Sequence, residues 1–269
     1  MHTFSNRWVG LILAILALQL LPGCAVGPNP ADPWEKSNRF FHNFNDGLDR
    51  ALLKPAADCY VKVVPKPVRQ CIGNGFDNVG YFDVILNDYL QGKWEQGISD
   101  SVRMCINSTA GVGGLFDVAA YLELPSHDND FGVTLGKWKV GGGGPGPYLV
   151  LPLFGPSSVR DAPGIAVGIL DNPLTWIDIP WYVNIPLDSL QAVDARARAE
   201  KYFKFRKAAA INDYVFIRDA YLQYRRHLIV EGKASIDQSI YDEDMEEPSS
   251  QPATQSGPTP ATQPTSQSR

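Results

Sequence analysis

The chain has 269 residues, with 24 basic and 29 acidic side chains, a net charge of −5 and 44% hydrophobic residues. That acidic balance, with no basic stripe, argues against nucleic acid and against steering by anionic lipid surfaces. Four cysteines with no CxxC or Cys/His cluster argue against a metal site, and no motif calls for a cofactor.

The first 23 residues read as a signal peptide. Arg7 supplies the positive start, and Trp8 to Leu21 is almost wholly apolar. A span of the membrane core needs about 20 apolar residues, so this run is too short to be a transmembrane helix. Leu21-Pro22-Gly23-Cys24 then matches a lipobox, in which Cys24 takes the lipid and becomes the new N-terminus. Ala25, where inner-membrane lipoproteins typically carry Asp, favours the outer membrane. An ordinary secretory signal with an incidental cysteine is the alternative. Cleavage leaves 23 basic residues (24 less Arg7) against 29 acidic. Residues 24–31 then form a linker.

Asp32-Pro33-Trp34-Glu35 is expected to open the first helix, with Asp32 as its cap. Phe40, Phe41, Phe44, Leu48, Ala51 and Leu52 follow helical spacing, and Asn38, Asn43, Asp46 and Asp49 lie on the opposite face. Pro55 and the Pro65/Pro67 corner interrupt the pattern. Helices are expected over 68–90 and 94–107, parted by Gly92. Cys59 and Cys71 flank the proline corner, and one disulfide among Cys59, Cys71 and Cys105 fits an oxidising compartment. Gly111, Gly113 and Gly114 open a segment that reads as a helical hairpin, with a polar turn at 125–130 and its far arm ending near Gly136. Gly141–Gly144 then form a loop or hinge. The best strand candidate is Tyr148–Leu153.

Residues 148–190 are the least charged stretch, and Trp176, Trp181 and Tyr182 sit there among prolines. Either they form a core or they meet a membrane as short amphipathic helices in one leaflet. Two helices follow to about Glu231, broken near Ile211-Asn212 and stopped by Gly232. The ordered domain is expected over 32–240. Residues 241–269 are acidic, then rich in Ser, Thr, Gln and Pro, and are expected to be disordered. The fold class is mainly α, with little or no β.

Several stretches together resemble the MlaA/VacJ outer-membrane lipoproteins. They are Asp32–Glu35 with Asn38-Arg39 and Asn43–Asn45; Val64–Arg69; Asn87 with Leu90–Gly92; and Asn107–Thr109 with Gly111–Gly114 and Asp117–Ala119. Phe131–Gly136, Gly146–Asp161, and Tyr214 with Arg218–Tyr221 complete the series. The order is the family's over nearly all of residues 32–231. The glycine turn at 141–144 is longer than the family's, Lys139 follows Trp138, and Cys59, Cys71 and Cys105 stand outside its pattern. The tail also lies outside the resemblance.

The resemblance implies a single ring-like (donut) domain of short amphipathic helices in the inner leaflet of the outer membrane, held by a trimeric porin. Through its amphipathic channel, misplaced phospholipids leave the outer leaflet for a periplasmic lipid-binding carrier protein. A charged headgroup crosses hydrocarbon only at great cost without a polar path. Asn107, Asp117 and Thr134, with Arg160 and Asp161 beyond the hairpin, are the candidate lining or gate. For Asp117 the plainer role is a helix cap, and for Arg160 a pairing with Asp161. Phe44 is a candidate channel restriction or a core residue. Two alternatives compete with transport. One is a porin-associated lipoprotein with a purely structural role. The other is a phospholipase or acyltransferase, but Ser157 and Ser158 lie outside a nucleophile elbow. His42, His127 and His227 show no evident Ser or Asp partner in sequence.

Overall fold

The computed structural model describes Gly27 and residues 29–230. The leader 1–23, Cys24, Gly232 and the acidic tail lie outside the described residues.

The first helix, α1, is Glu35–Leu48, two residues later than Asp32 suggests. It continues through a π-helical turn, Asp49–Leu53, into α2, Lys54–Val63. Pro55 lies in the first turn of α2, where the wider turn before it relieves the clash a proline makes with the carbonyl four residues back. Val64 is extended, as a residue before proline prefers, and Pro65 leads into α3, Lys66–Leu90. Gly92, at φ 73°, makes the turn into α4, Trp94–Thr109. Two short helices follow, α5 (Val118–Tyr121) and α6 (Phe131–Lys137). β1 (Tyr148–Leu151) and β2 (Gly155–Ser158) pair antiparallel, with Tyr148 opposite Ser158 and Val150 opposite Pro156. The chain then forms α7 (Ala162–Asp171), a 3-10 turn (Pro173–Trp176), α8 (Trp181–Arg198), α9 (Glu200–Ala209) and α10 (Asp213–Val230). The expected break at 211–212 is present, and a second at Ala199 divides α8 from α9.

Packing closes on itself. α1 leads through the π turn to α2, which packs on α8; α9 joins α8 to α10; and α10 reaches β2, whose partner β1 lies on α1. α3 bridges this ring-like circuit, touching α8 as well as α6 and α7, and α4 packs on α3 and carries α5. The two arms of the expected hairpin therefore have different supports: α5 rests on α4, whereas α6 rests on α3, α7 and α10.

The apolar core centres on β1, which is buried on both faces. Tyr148 and Val150 meet Tyr214, Phe41 and Tyr221, while Leu149 and Leu151 meet Ala162, Trp34 and Ile165. Strand alternation divides the four residues between two clusters. The free edge of β1 is closed by side chains of α1. Asn38 donates to the Tyr148 carbonyl at 3.1 Å and accepts from the Val150 amide at 2.9 Å. Asn45, two helical turns on, donates to the Leu151 carbonyl at 2.9 Å and accepts from the Leu153 amide at 2.8 Å. Each amide thus stands in for the backbone of a missing strand.

Two sequence expectations are corrected. Asp32 makes no cap: its carboxylate is fully buried, accepting from Asn38 at 2.8 Å and from the Tyr214 hydroxyl at 2.5 Å. Cys59, Cys71 and Cys105 are free. α2 and α3 both reach α8 after the proline corner, and neither Cys59 nor Cys71 is paired.

Candidate functional site

Two helices, α4 and α1, are amphipathic in an inverted sense. On α4 the buried positions are Gly97, Asp100, Arg103 and Asn107, whereas Trp94, Ile98 and Val102 are exposed. On α1, Asn38, His42 and Asn45 turn to neighbouring elements, as does Asp49 at the start of the π turn, and Phe40 and Phe44 face out. Among the described residues, buried polar and charged side chains outnumber buried hydrophobic ones. The aromatic stretch at Trp176, Ile177, Trp181 and Tyr182 is exposed too, which overturns the core alternative for it. Water outside would penalise such a surface, and acyl chains would not. No helix among the described residues is long and apolar enough to cross a membrane.

The buried polar groups are cross-linked. Arg196 grips Asp49 through two bonds, 2.5 and 3.1 Å, and reaches Glu200 at 2.8 Å. Arg206 ties Asp46 at 3.0 Å to Asp213 at 2.9 Å, joining α1, α9 and α10. Pairing of this kind is what lets charges remain in a low-dielectric interior.

The candidate residues fall into three such knots and one exposed position. Asn107 donates to Asp117 at 2.9 Å, and Asp117 also pairs with Arg103 at 2.5 Å while capping α5 through the Ala120 amide. Thr134 is fully buried on α6; its hydroxyl donates to Asn87 at 2.7 Å and accepts from Gln91 at 2.8 Å. Asp161 receives Arg225 at 2.8 Å, the Tyr221 hydroxyl at 2.6 Å and, at 3.5 Å, its neighbour Arg160. Arg160 also donates to the Gly144 carbonyl, tethering the glycine-rich turn, and Arg225 pairs with Asp130. A Cβ at Gly132 would strike the Asp161 carboxylate and the Arg225 guanidinium, so α6 lies directly against this knot. Thr134, Arg160 and Asp161 therefore share one neighbourhood, and Asn107 with Asp117 forms another. Phe44 is 47% exposed, away from any core cluster.

Electrostatics follow the same connections. Burial pushes the Asp130 carboxyl up, but the Arg225 hydrogen bonds outweigh it and hold the group below the usual range. Burial, with Asp171 alongside, raises Asp83 to about 8, and burial beside Asp100 raises Asp88 to about 6. Burial and the neighbouring Lys93 push Lys137 down to about 8. Asp83 beside Asp171 and Asp130 beside Arg225 arise where distant segments meet. The histidines also find partners that spacing did not reveal: His42 lies 3.1 Å from Asp213, and His127 lies 2.9 Å from Asp100. Ser157 and Ser158 are buried on β2, and Ser158 accepts from the Asp161 amide at 3.1 Å. Among the described residues no cluster of three or more His, Cys, Asp and Glu side chains is placed to hold a metal ion.

Known proteins align with this arrangement. A family model described as MlaA lipoprotein matches residues 30–228. The intermembrane phospholipid transport system lipoprotein MlaA of Shigella flexneri is 32% identical over 232 residues, covering 82% of this chain and 90% of that protein. The protein of the same description from Escherichia coli (strain K12) gives the same figures. Its counterpart in Haemophilus influenzae is 29% identical over 234 residues, covering 83% of this chain and 91% of that protein. A solved chain, from work on the structural basis for maintenance of bacterial outer membrane lipid asymmetry, is similar with a TM-score of 0.63 and 29% identity. That similarity covers 74% of this chain and 98% of that one.

Proposed function

The chain belongs to the MlaA lipoprotein family, and from that premise we propose that it removes misplaced phospholipids from the outer leaflet of the outer membrane for retrograde transport. It is an outer-membrane phospholipid-transport lipoprotein, part of the system that maintains lipid asymmetry. In our reading, acyl chains at Cys24 hold it on the periplasmic side, and the exposed apolar helix faces sit in the inner leaflet. A trimeric porin holds the ring there. Phospholipid passes through it to a periplasmic lipid-binding carrier protein. In our reading the domain behind Cys24 extends over 32–240, with 241–269 outside it. The candidate lining remains Asn107, Asp117, Thr134, Arg160 and Asp161, with Phe44 on the exposed stripe; the first five act by holding the passage open as well as by polarity.

The observation that carries this reading is the inverted amphipathicity: polar residues at the helix contacts, aromatics and aliphatics outside. A polar interior lowers the cost of moving a charged headgroup, while the acyl chains stay on apolar surface. The movement relieves a leaflet imbalance and needs no further energy at this step. We read the chain as a carrier without catalytic activity. Ser157 and Ser158 are buried, and the carboxylates beside His42 and His127 are tied to Arg206 and Tyr81.

The test is surface labelling of outer-leaflet phospholipid in intact cells with an impermeant amine-reactive probe. Deleting the protein should raise labelling, the full chain should restore it, and Cys24→Ala should fail to. Unchanged labelling with disturbed porin assembly would replace transport by a structural role.

A further inference from the structure

The segment between α5 and α6, residues 122–130, joins the two neighbourhoods that hold the candidate gate: Asp117 caps α5 and Thr134 lies within α6. Side chains of three helices hold this segment. Arg103 on α4 donates to the Leu124 carbonyl. Asn129 donates to Asp88 on α3 at 2.7 Å, and the Tyr224 hydroxyl of α10 donates to Asp128 at 3.2 Å. The middle of the segment is held at His127. Its backbone amide donates to the Tyr81 hydroxyl of α3 at 3.0 Å, and that hydroxyl donates to Asp100 Oδ1 of α4 at 2.9 Å. The imidazole Nδ1 lies 2.9 Å from the same oxygen and 3.2 Å from Oδ2. The three residues close a triangle that ties the segment to both helices.

Asp100 is fully buried. Burial pushes its carboxyl up, but the hydrogen bond and charge of His127 lead the groups that outweigh burial and hold it below the usual range. A carboxylate only accepts, so Nδ1 keeps its proton and the charge of the ring is decided at Nε2. A buried carboxylate is costly without a positive partner. Arg103 is bonded to Asp117, Arg225 to Asp130 and Asp161, and Lys93 approaches Asp88 at 3.7 Å. His127 is the basic group in contact with Asp100, and its side chain is 18% exposed, so a proton can reach it. Imidazole changes charge between about pH 5 and 8. Asp88, raised to about 6 by burial beside Asp100, titrates in the same range.

We propose that His127, Asp100 and Tyr81 form a proton-operated latch on the segment between the two gate arms. With the imidazole charged, the segment is pinned to α3 and α4; when the imidazole loses its charge, the segment loosens and the arms are freed. The latch is therefore strongest in acid and weakens as pH rises. His127 is on this reading a positioning residue for lipid passage, so the inference deepens the transport reading and rests on it.

Amide hydrogen exchange of the full lipidated chain held in amphipol reads the latch. Protection of residues 122–130, measured against that of β1, should fall about tenfold between pH 5.5 and 8.5, the scale of one charge-assisted hydrogen bond. His127→Gln keeps a donor for Asp100 without the charge, and should lose most of that slope. Tyr81→Phe breaks the amide tie but leaves the ring on the carboxylate, and should lower protection at every pH while keeping the slope. A flat profile in the parent overturns the latch. A slope in His127→Gln equal to the parent's assigns the effect to Asp88 and also overturns it. The second readout is outer-leaflet phospholipid in cells grown at pH 5.5 or 8 and labelled at one common pH. His127→Gln should lower labelling after growth at pH 5.5 and match the parent after growth at pH 8. Labelling identical to the parent's at both values overturns the positioning role. Labelling that does not rise when the whole chain is deleted sinks the transport reading instead, and the exchange profile then judges the latch by itself.

Discussion

β1 and α4 each pack closely on neighbouring elements, yet β1 turns Tyr148, Leu149, Val150 and Leu151 to its neighbours, whereas α4 turns Asp100, Arg103 and Asn107. β1 is held as water-soluble proteins are, by removing apolar surface from water. α4 leaves its apolar side chains outside and relies on hydrogen bonds and ion pairs within. Such bonds strengthen as the surroundings become less polar, since a broken one then has no water to replace it. The two regions thus suit two surroundings, and the contrast fits a ring partly sunk in lipid.

The contrast can be broken at its strongest polar knot. Asp161→Ala should cost about 3–5 kcal/mol, the scale for stranding a buried charge, because Arg225 loses one of its two carboxylate partners and Tyr221 loses its acceptor. Thermal unfolding in detergent measures it; a change under about 1 kcal/mol would mean the knot is not holding α6, α7 and α10 together. A matched pair of valines sharpens the comparison. Val150 is 1% exposed on β1 and Val102 is 44% exposed on α4. Val150→Ala should cost about 2 kcal/mol, and Val102→Ala less than about 0.5 kcal/mol. Equal costs in the same unfolding assay would erase the distinction between the two regions.

A third effect is a slope with pH. Asp83, raised by burial and by Asp171 to about 8, keeps in the folded chain a proton that the unfolded chain releases near 4. A folded state that binds more protons loses stability as pH rises. This group therefore contributes stability at low pH that is lost as pH climbs from about 4 to about 8, and nothing changes above that. Asp83→Asn should flatten that part of the profile while keeping an oxygen for Asn87, which now donates to Asp83 at 2.6 Å. Melting curves between pH 5 and 8.5 with the same slope in parent and variant would remove Asp83 as its source.

Much of the backbone was legible in the sequence. Pro65, Gly92 and the 211–212 break stand where helices end, because proline and glycine act through local geometry alone. The sense of the amphipathic pattern was not legible. Spacing places Asn38 and Asp49 on the polar side of α1, and in water that side faces solvent; here it is buried against β1 and Arg196. Periodicity says that two faces differ without saying which one is covered. β2 was missed because Gly155 and Pro156 disfavour strands, and a proline is tolerated there where its missing N–H interrupts no ladder. The candidate residues Thr134, Arg160 and Asp161 were picked out singly. Their common neighbourhood with Asp130 and Arg225 depends on α6 packing against α10, which no local signal encodes.

The two asparagines along β1 carry one more consequence. A two-stranded hairpin normally leaves an edge whose amides and carbonyls invite a strand from another molecule, the first step towards aggregation. Asn38 and Asn45 occupy the outer edge of β1, so that edge offers no template for self-association. Helical spacing sets both amides against the strand at once, and Asp32 pins the first through its own bond to Asn38. A chain with so much exposed apolar surface gains from having its strand edge already sealed before it reaches a lipid phase.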